Sequence, residues 1–181
     1  VCGTEGRQFE SVPVYQKMTK EKKLKPSKEL PSGFEDRQEK ELLIRDFIIS
    51  NIKEVMIKYG FKYLETPSFE YTDSIGKFLP DKDRPGEGVF SFKDENKWLS
   101  LRYDLTAPLA RYVAKNFNII PKPFKRYQLG TVWRNEKPGP GRYREFLQFD
   151  ADYVGTKNLQ ADAELCVLIS EILEKCGLSK T

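Results

Sequence analysis

The chain has 181 residues, 39% of them hydrophobic and 32% charged, with a formal net charge of +4. That length and composition fit one well-charged globular domain with a real core, and so mild a charge does not by itself require a polyanionic partner. The complete lack of histidine excludes imidazole-based general base catalysis, Ser-His-Asp triads and zinc sites built on imidazole.

Cys2, Cys166 and Cys176 show no metal-ligand spacing. The two in the C-terminal segment read as small packing residues, in a reducing cytoplasm. No apolar run approaches the roughly 18 residues of a membrane span. Residues 1–30 read as a leader. Residues 1–17 lack periodicity and read as sequence foreign to the domain, while Met18-Thr19-Lys20 looks like a natural start. Six lysines lie between Lys17 and Lys28; a solvated stretch is their plainest reading, and contact with RNA the alternative.

From residue 31 onward the pattern is that of a folded unit. Pro31-Ser32-Gly33-Phe34 is a turn. Leu42, Leu43, Phe47, Ile48, Ile52, Val55 and Met56 predict one long amphipathic helix over 36–59, stopped by Gly60. A short strand over 61–66 closes at Pro67. A helical turn is expected over 74–78, then a long polar loop over 79–88. A hairpin joins 89–93 to 98–103 through Asp94-Glu95-Asn96-Lys97. Thr106 is expected to cap a helix over 107–116, with Pro108 in its tolerant first turn. Strands over 124–136 and 142–154 flank a Gly/Pro loop, and a helix over 159–176 ends at Gly177. This order predicts the α+β class.

Arg126 to Asp152 carries the chemistry. Period-2 alternation puts Val132, Arg134 and Glu136 on one face of the first strand. Arg144, Phe146, Gln148, Asp150 and Asp152 share a face of the second. Guanidinium for phosphate, a flat ring for stacking and carboxylates for an exocyclic amine or an ammonium are the parts that hold a nucleoside triphosphate. The loop Lys137-Pro138-Gly139-Pro140-Gly141 lacks the Gly-Lys-Ser/Thr ending of a Walker loop. Trp133 falls on the opposite face and is expected in the core.

Three stretches carry a family resemblance. The helix over 36–59 with the strand ending at Pro67 is similar to motif 1 of class II aminoacyl-tRNA synthetases. Arg134-Asn135-Glu136 with Gly141-Arg142-Tyr143-Arg144-Glu145-Phe146 resembles motif 2. The run from Leu101 to Arg111 resembles the amino-acid-gripping segment of histidyl-tRNA synthetases of bacterial type. Coverage is roughly residues 24–178, and motif 2 is the most specific part.

The resemblance implies roles. Arg134 would hold the ATP α-phosphate and stabilise charge as the histidine carboxylate attacks. Glu136 would accept from the adenine amino group, Phe146 would stack on adenine, and Arg142 would reach the outer phosphates. Asp104, Leu105 and Thr106 would bind L-histidine at its α-ammonium end, with Gln148 and Asp152 completing the pocket. Asp150 would support these residues without touching ligand. The resemblance also implies Mg²⁺ accompanying ATP, histidine tRNA as second substrate, and a homodimer formed through the motif 1 helix and strand. A third motif and an anticodon-binding domain belong to the family but do not appear here. Residues 31–181 are therefore expected to be the N-terminal half of a catalytic domain, inactive alone. Two other readings stay open: a non-catalytic paralogue such as the regulatory subunit of ATP phosphoribosyltransferase, and an RNA-binding module.

Overall fold

The computed structural model describes residues 27–75 and 88–178, and every element lies in the unit Pro31–Thr181. In chain order these are α1 (Glu39–Lys58), β1 (Lys62–Tyr63), β2 (Phe69–Tyr71), a 3-10 turn (Thr72–Ser74), β3 (Ser91–Asp94) and β4 (Lys97–Leu101). There follow α2 (Thr106–Asn116), β5 (Phe124–Trp133), β6 (Glu145–Val154) and α3 (Gln160–Lys175). The class is α+β, as predicted. Most of the 79–88 loop and nearly all of the 1–30 leader lie outside the described residues. No helix among the described residues is long and apolar enough to cross a membrane.

Helix α1 starts three residues later than its pattern suggests. The Gln38 N–H donates to the Glu41 carboxylate at 3.1 Å, and Glu39 and Glu41 place negative charge on the positive end of the helix. At the other end Gly60 takes φ +75°, the Gly60 N–H reaches the Ile57 carbonyl, and the Phe61 N–H reaches that of Met56. This paired C-terminal closure needs a left-handed residue, which is why glycine stands there.

The sheet β1-β5-β6 joins β1 to β5 in parallel and β5 to β6 antiparallel, with ten paired positions from Phe124↔Val154 to Trp133↔Glu145. Because side chains alternate along a strand, this sheet has two unlike faces. Tyr127, Leu129, Phe149, Ala151 and Tyr153 pack with Ile52, Val55, Met56, Leu168 and Ile172 of α1 and α3. Each fully buried aliphatic side chain there contributes roughly 1.5–3 kcal/mol. The even-numbered residues, from Arg126 and from Gln148, Asp150 and Asp152, occupy the opposite face. The stripe on α1 divides accordingly. Ile52, Val55 and Met56 are buried, whereas Leu43, Phe47 and Ile48, expected on the same apolar face, are exposed.

A second antiparallel sheet, β2-β4-β3, is tied to the first by Arg102 at the end of β4. Its Nη1 donates to the Thr66 carbonyl and its Nε to that of Thr131, both at 2.7 Å. A Cβ on Gly130 would stand 2.7 Å from Arg102 Nη2, so the absence of a side chain there makes room for the link. Helix α2 is anchored by a two-pronged pair, Arg111 to Glu70, at 2.6 and 2.9 Å.

Several expected boundaries move. The hairpin strands are shorter than drawn, with Glu95 at φ +51° in the turn. The strand over 61–66 reduces to Lys62–Tyr63, and the turn over 74–78 falls earlier, at Thr72–Ser74, with 76–78 outside the described residues. Trp133 is half-buried, its indole N–H donating to Glu145 at 2.7 Å, and Cys166 is exposed. The most consequential shift is at the Gly/Pro loop: regular pairing stops at Trp133 and resumes at Glu145.

Candidate active site

A cleft of about 560 Å³ opens on the even-numbered face of β6 and extends around its edge. Asp104, Thr106, Arg134, Gln148, Asp150 and Asp152 line it together with apolar residues of α3. Residues from three separated stretches, 104–106, 134 and 148–152, thus converge.

Arg134 stands just past the end of β5, not within it. Its backbone N–H still donates to the Arg144 carbonyl at 2.9 Å, which continues the β5–β6 register by one residue and aims the side chain at β6. The guanidinium carbon lies 5.0 Å from the Phe146 ring centre and 4.6 Å from that of Tyr103. Two aromatic faces thus hold one planar cation. Glu136 lies in the loop, where Tyr103 Oη donates to Oε1 at 2.6 Å and Arg142 Nη2 approaches Oε2 at 3.5 Å. Arg142 is otherwise exposed, and the Arg144 Nε donates to the Glu136 carbonyl at 2.9 Å. The predicted nucleotide residues Arg134, Glu136, Arg142 and Phe146 are therefore brought together, although by loop geometry and not by strand alternation.

The remaining predicted residues gather on the other side of Arg134. Asp104 Oδ1 accepts the Ala107 N–H at 3.0 Å, so Asp104, and not Thr106, supplies the side-chain oxygen that caps α2. Thr106 is instead the first helical residue and donates from Oγ1 to Asp150 at 3.3 Å. Gln148 Nε2 donates to the other oxygen of Asp150 at 2.9 Å. Asp150 thus accepts hydrogen bonds from two cleft residues while lining the cleft itself. The Leu105 side chain is fully buried and does not line the cleft. Changing Asp104 to Ala removes the cap, which should lower stability by about 1 kcal/mol. Asn caps as well as Asp, so Asp104→Asn should keep stability and lose only the charge; thermal melts of both variants check this.

Beneath the cleft lies Arg126, a residue that the sequence reading passed over. It is completely buried. Nη2 donates to the Leu105 carbonyl at 2.6 Å, and Nη1 lies 3.1 Å from Asp152 Oδ2. These two groups attract as charges without a formed hydrogen bond. Burial pushes the Asp152 carboxyl above the usual carboxylate range, with Arg126 pulling the other way and Asp150 and Asp104 adding to the rise. Burial also lowers the Arg126 pKa. The signal was available in the sequence: antiparallel pairing sets Arg126 opposite Asp152, on the face that carries the cleft. Tyr103 was likewise missed as a contact of both Arg134 and Glu136.

The sequence profile of the family described as Histidyl-tRNA synthetase matches residues 33–181. The chain belongs to the histidyl-tRNA synthetase family. A relative named Histidine--tRNA ligase, from Bartonella quintana, is 59% identical over 157 residues, covering 86% of this chain and 32% of that protein. The chain thus spans about a third of the length of the curated relatives it matches. Among solved structures, the histidyl-tRNA synthetase from Nostoc sp. PCC 7120 superposes with a TM-score of 0.69 at 31% identity, over 82% of this chain and 34% of that one. A Bacillus halodurans protein described as an ATP phosphoribosyltransferase regulatory subunit/histidyl-tRNA synthetase gives 0.73 at 28%, over 86% and 40%. Membership of the synthetase family thus rests on a profile, on sequence identity and on fold.

Proposed function

We propose that the protein carrying this chain activates L-histidine with ATP and passes it to histidine tRNA. The reading is carried by one arrangement: Arg134, held between Tyr103 and Phe146, opens onto the same cleft as Asp104, Gln148 and Asp152. Arg134 would bind the α-phosphate while a histidine carboxylate oxygen attacks the phosphorus and pyrophosphate leaves. A planar cation already oriented by two rings suits the crowded anionic geometry that forms there. Phe146 and Glu136 would hold adenine by stacking and by accepting from its amino group, and Arg142 would reach the outer phosphates. Asp104 and Thr106 would take the substrate ammonium. Gln148 and Asp152 would complete the pocket, Asp152 accepting an imidazole N–H. Catalysis by positioning and charge needs no histidine in the chain.

Mg²⁺ would enter with ATP. Among the described residues no group of three or more Cys, Asp or Glu is gathered closely enough to hold a metal ion, so no step is assigned to one. The exposed Leu43, Phe47 and Ile48 of α1 suit burial in a homodimer through motif 1, and the cytoplasm is the proposed compartment. The likeness to the Bacillus halodurans protein favours a second reading, a histidine sensor without catalysis. Charging of a histidine tRNA transcript by the full-length protein separates the two. Histidine-dependent formation of histidyl-tRNA is expected, and histidine binding with no charging would favour the sensor.

A further inference from the structure

The nucleotide side of the cleft contains one side chain that the assigned roles leave unused. Tyr103 follows β4 in the run that leads to Asp104, and it touches both principal residues of the loop beyond β5. Its hydroxyl donates to Glu136 Oε1 at 2.6 Å. Its ring lies 4.6 Å from the Arg134 guanidinium carbon, which is also 5.0 Å from the Phe146 ring centre. Its carbonyl is also approached by Arg134 Nε, at 3.4 Å. A buried packing tyrosine would need none of these contacts. Here the polar end and the flat face each meet a different charged group, and those two groups are proposed to read opposite ends of the same nucleotide.

We propose that Tyr103 is a positioning residue that couples recognition of adenine to placement of the phosphate-binding arginine. The hydroxyl fixes one carboxylate oxygen of Glu136 and leaves the other to accept from the base. Arg142 is the other group facing that oxygen, at 3.5 Å and largely exposed, so it can turn outward to a phosphate. The ring, together with that of Phe146, packs on the planar Arg134 guanidinium and so limits its orientation at the cleft. The two functions are separable, because phenylalanine retains the ring and lacks the hydroxyl. The hydrogen bond to Glu136 also raises the Tyr103 phenol above its ordinary value.

This inference rests on the reading of the cleft as an ATP and histidine site. Its test is histidine-dependent exchange of pyrophosphate into ATP, and into purine riboside triphosphate, which lacks the 6-amino group, using the full-length protein. Tyr103→Phe should raise KM for ATP roughly tenfold or more, the worth of a hydrogen bond to a charged group. It should raise KM for purine riboside triphosphate much less, so that the preference between the two nucleotides collapses. Tyr103→Leu should in addition lower kcat with both nucleotides, because Arg134 loses one of its two rings. A merely structural role would weaken both nucleotides equally in Tyr103→Phe, and that result would overturn the proposal. So would an unchanged preference. If Tyr103→Leu does not fold, the Tyr103→Phe preference alone decides. Absence of exchange in the unaltered protein would remove the site reading itself, whereas exchange with an unaffected Tyr103→Phe variant would remove only the role of Tyr103.

Discussion

Arg134→Ala, made in the full-length protein, should lower histidine-dependent ATP–pyrophosphate exchange by about two to three orders of magnitude and leave the fold in place. The size follows from what the side chain does. Its guanidinium is proposed to meet charge that grows only as the α-phosphorus is attacked, so its loss falls on kcat more than on KM. The fold persists because the Arg134 backbone bond to Arg144 does not depend on the side chain. Lysine restores little: a compact ammonium cannot lie flat between Tyr103 and Phe146 and donate two parallel hydrogen bonds. Steady-state exchange kinetics with a parallel melting curve check this. A variant with exchange within a few-fold of the parent would take Arg134 out of its role.

The second large effect is on stability. Asp152→Ala strands the buried Arg126, which cannot release its proton, with the Leu105 carbonyl its one bonded partner among the described residues. The expected loss is about 3 kcal/mol. Arg126→Met costs less, because Asp152 is partly exposed and water can reach the carboxylate left behind. Joining Arg126→Met to Asp152→Ala should recover much of the loss, since no charge remains stranded. Urea denaturation of the two single variants and the double variant measures this, and strictly additive losses would contradict it. The same carboxyl sets a pH slope. Its folded pKa is raised, so it contributes stability in acid that is lost as pH rises through that folded value. Asp152→Ala should lose this slope.

The fold was readable where local chemistry and tertiary packing agree. Gly60 and Gly177 mark the ends of α1 and α3 because only glycine takes the left-handed closure easily, and both have positive φ. The apolar stripe of α1 was harder to interpret. At about 3.6 residues per turn Ile48 falls on the same side as Ile52, whereas Leu43 stands opposite it and Phe47 well round the helix, so the run of apolar positions did not show which of them the sheet would cover.

The site was legible through its motifs, but for partly incorrect geometric reasons. Alternation put Arg134 and Glu136 within a strand, yet pairing ends at Trp133, and contacts to Arg144, Tyr103 and Arg142 set their positions instead. Thr106 looked like the helix cap because threonine favours that position, whereas the carboxylate of Asp104 outcompetes it. Arg126 escaped notice because nothing local distinguishes a buried arginine from an exposed one. Only its register opposite Asp152 does so.

Histidine-dependent exchange of labelled pyrophosphate into ATP, measured on the full-length protein, tests the central claim most directly. The proposed arrangement of Arg134, Asp104 and Asp152 around one cleft predicts exchange that requires histidine and ATP together and is not supported by other amino acids. Tight histidine binding accompanied by no exchange at saturating ATP would contradict it.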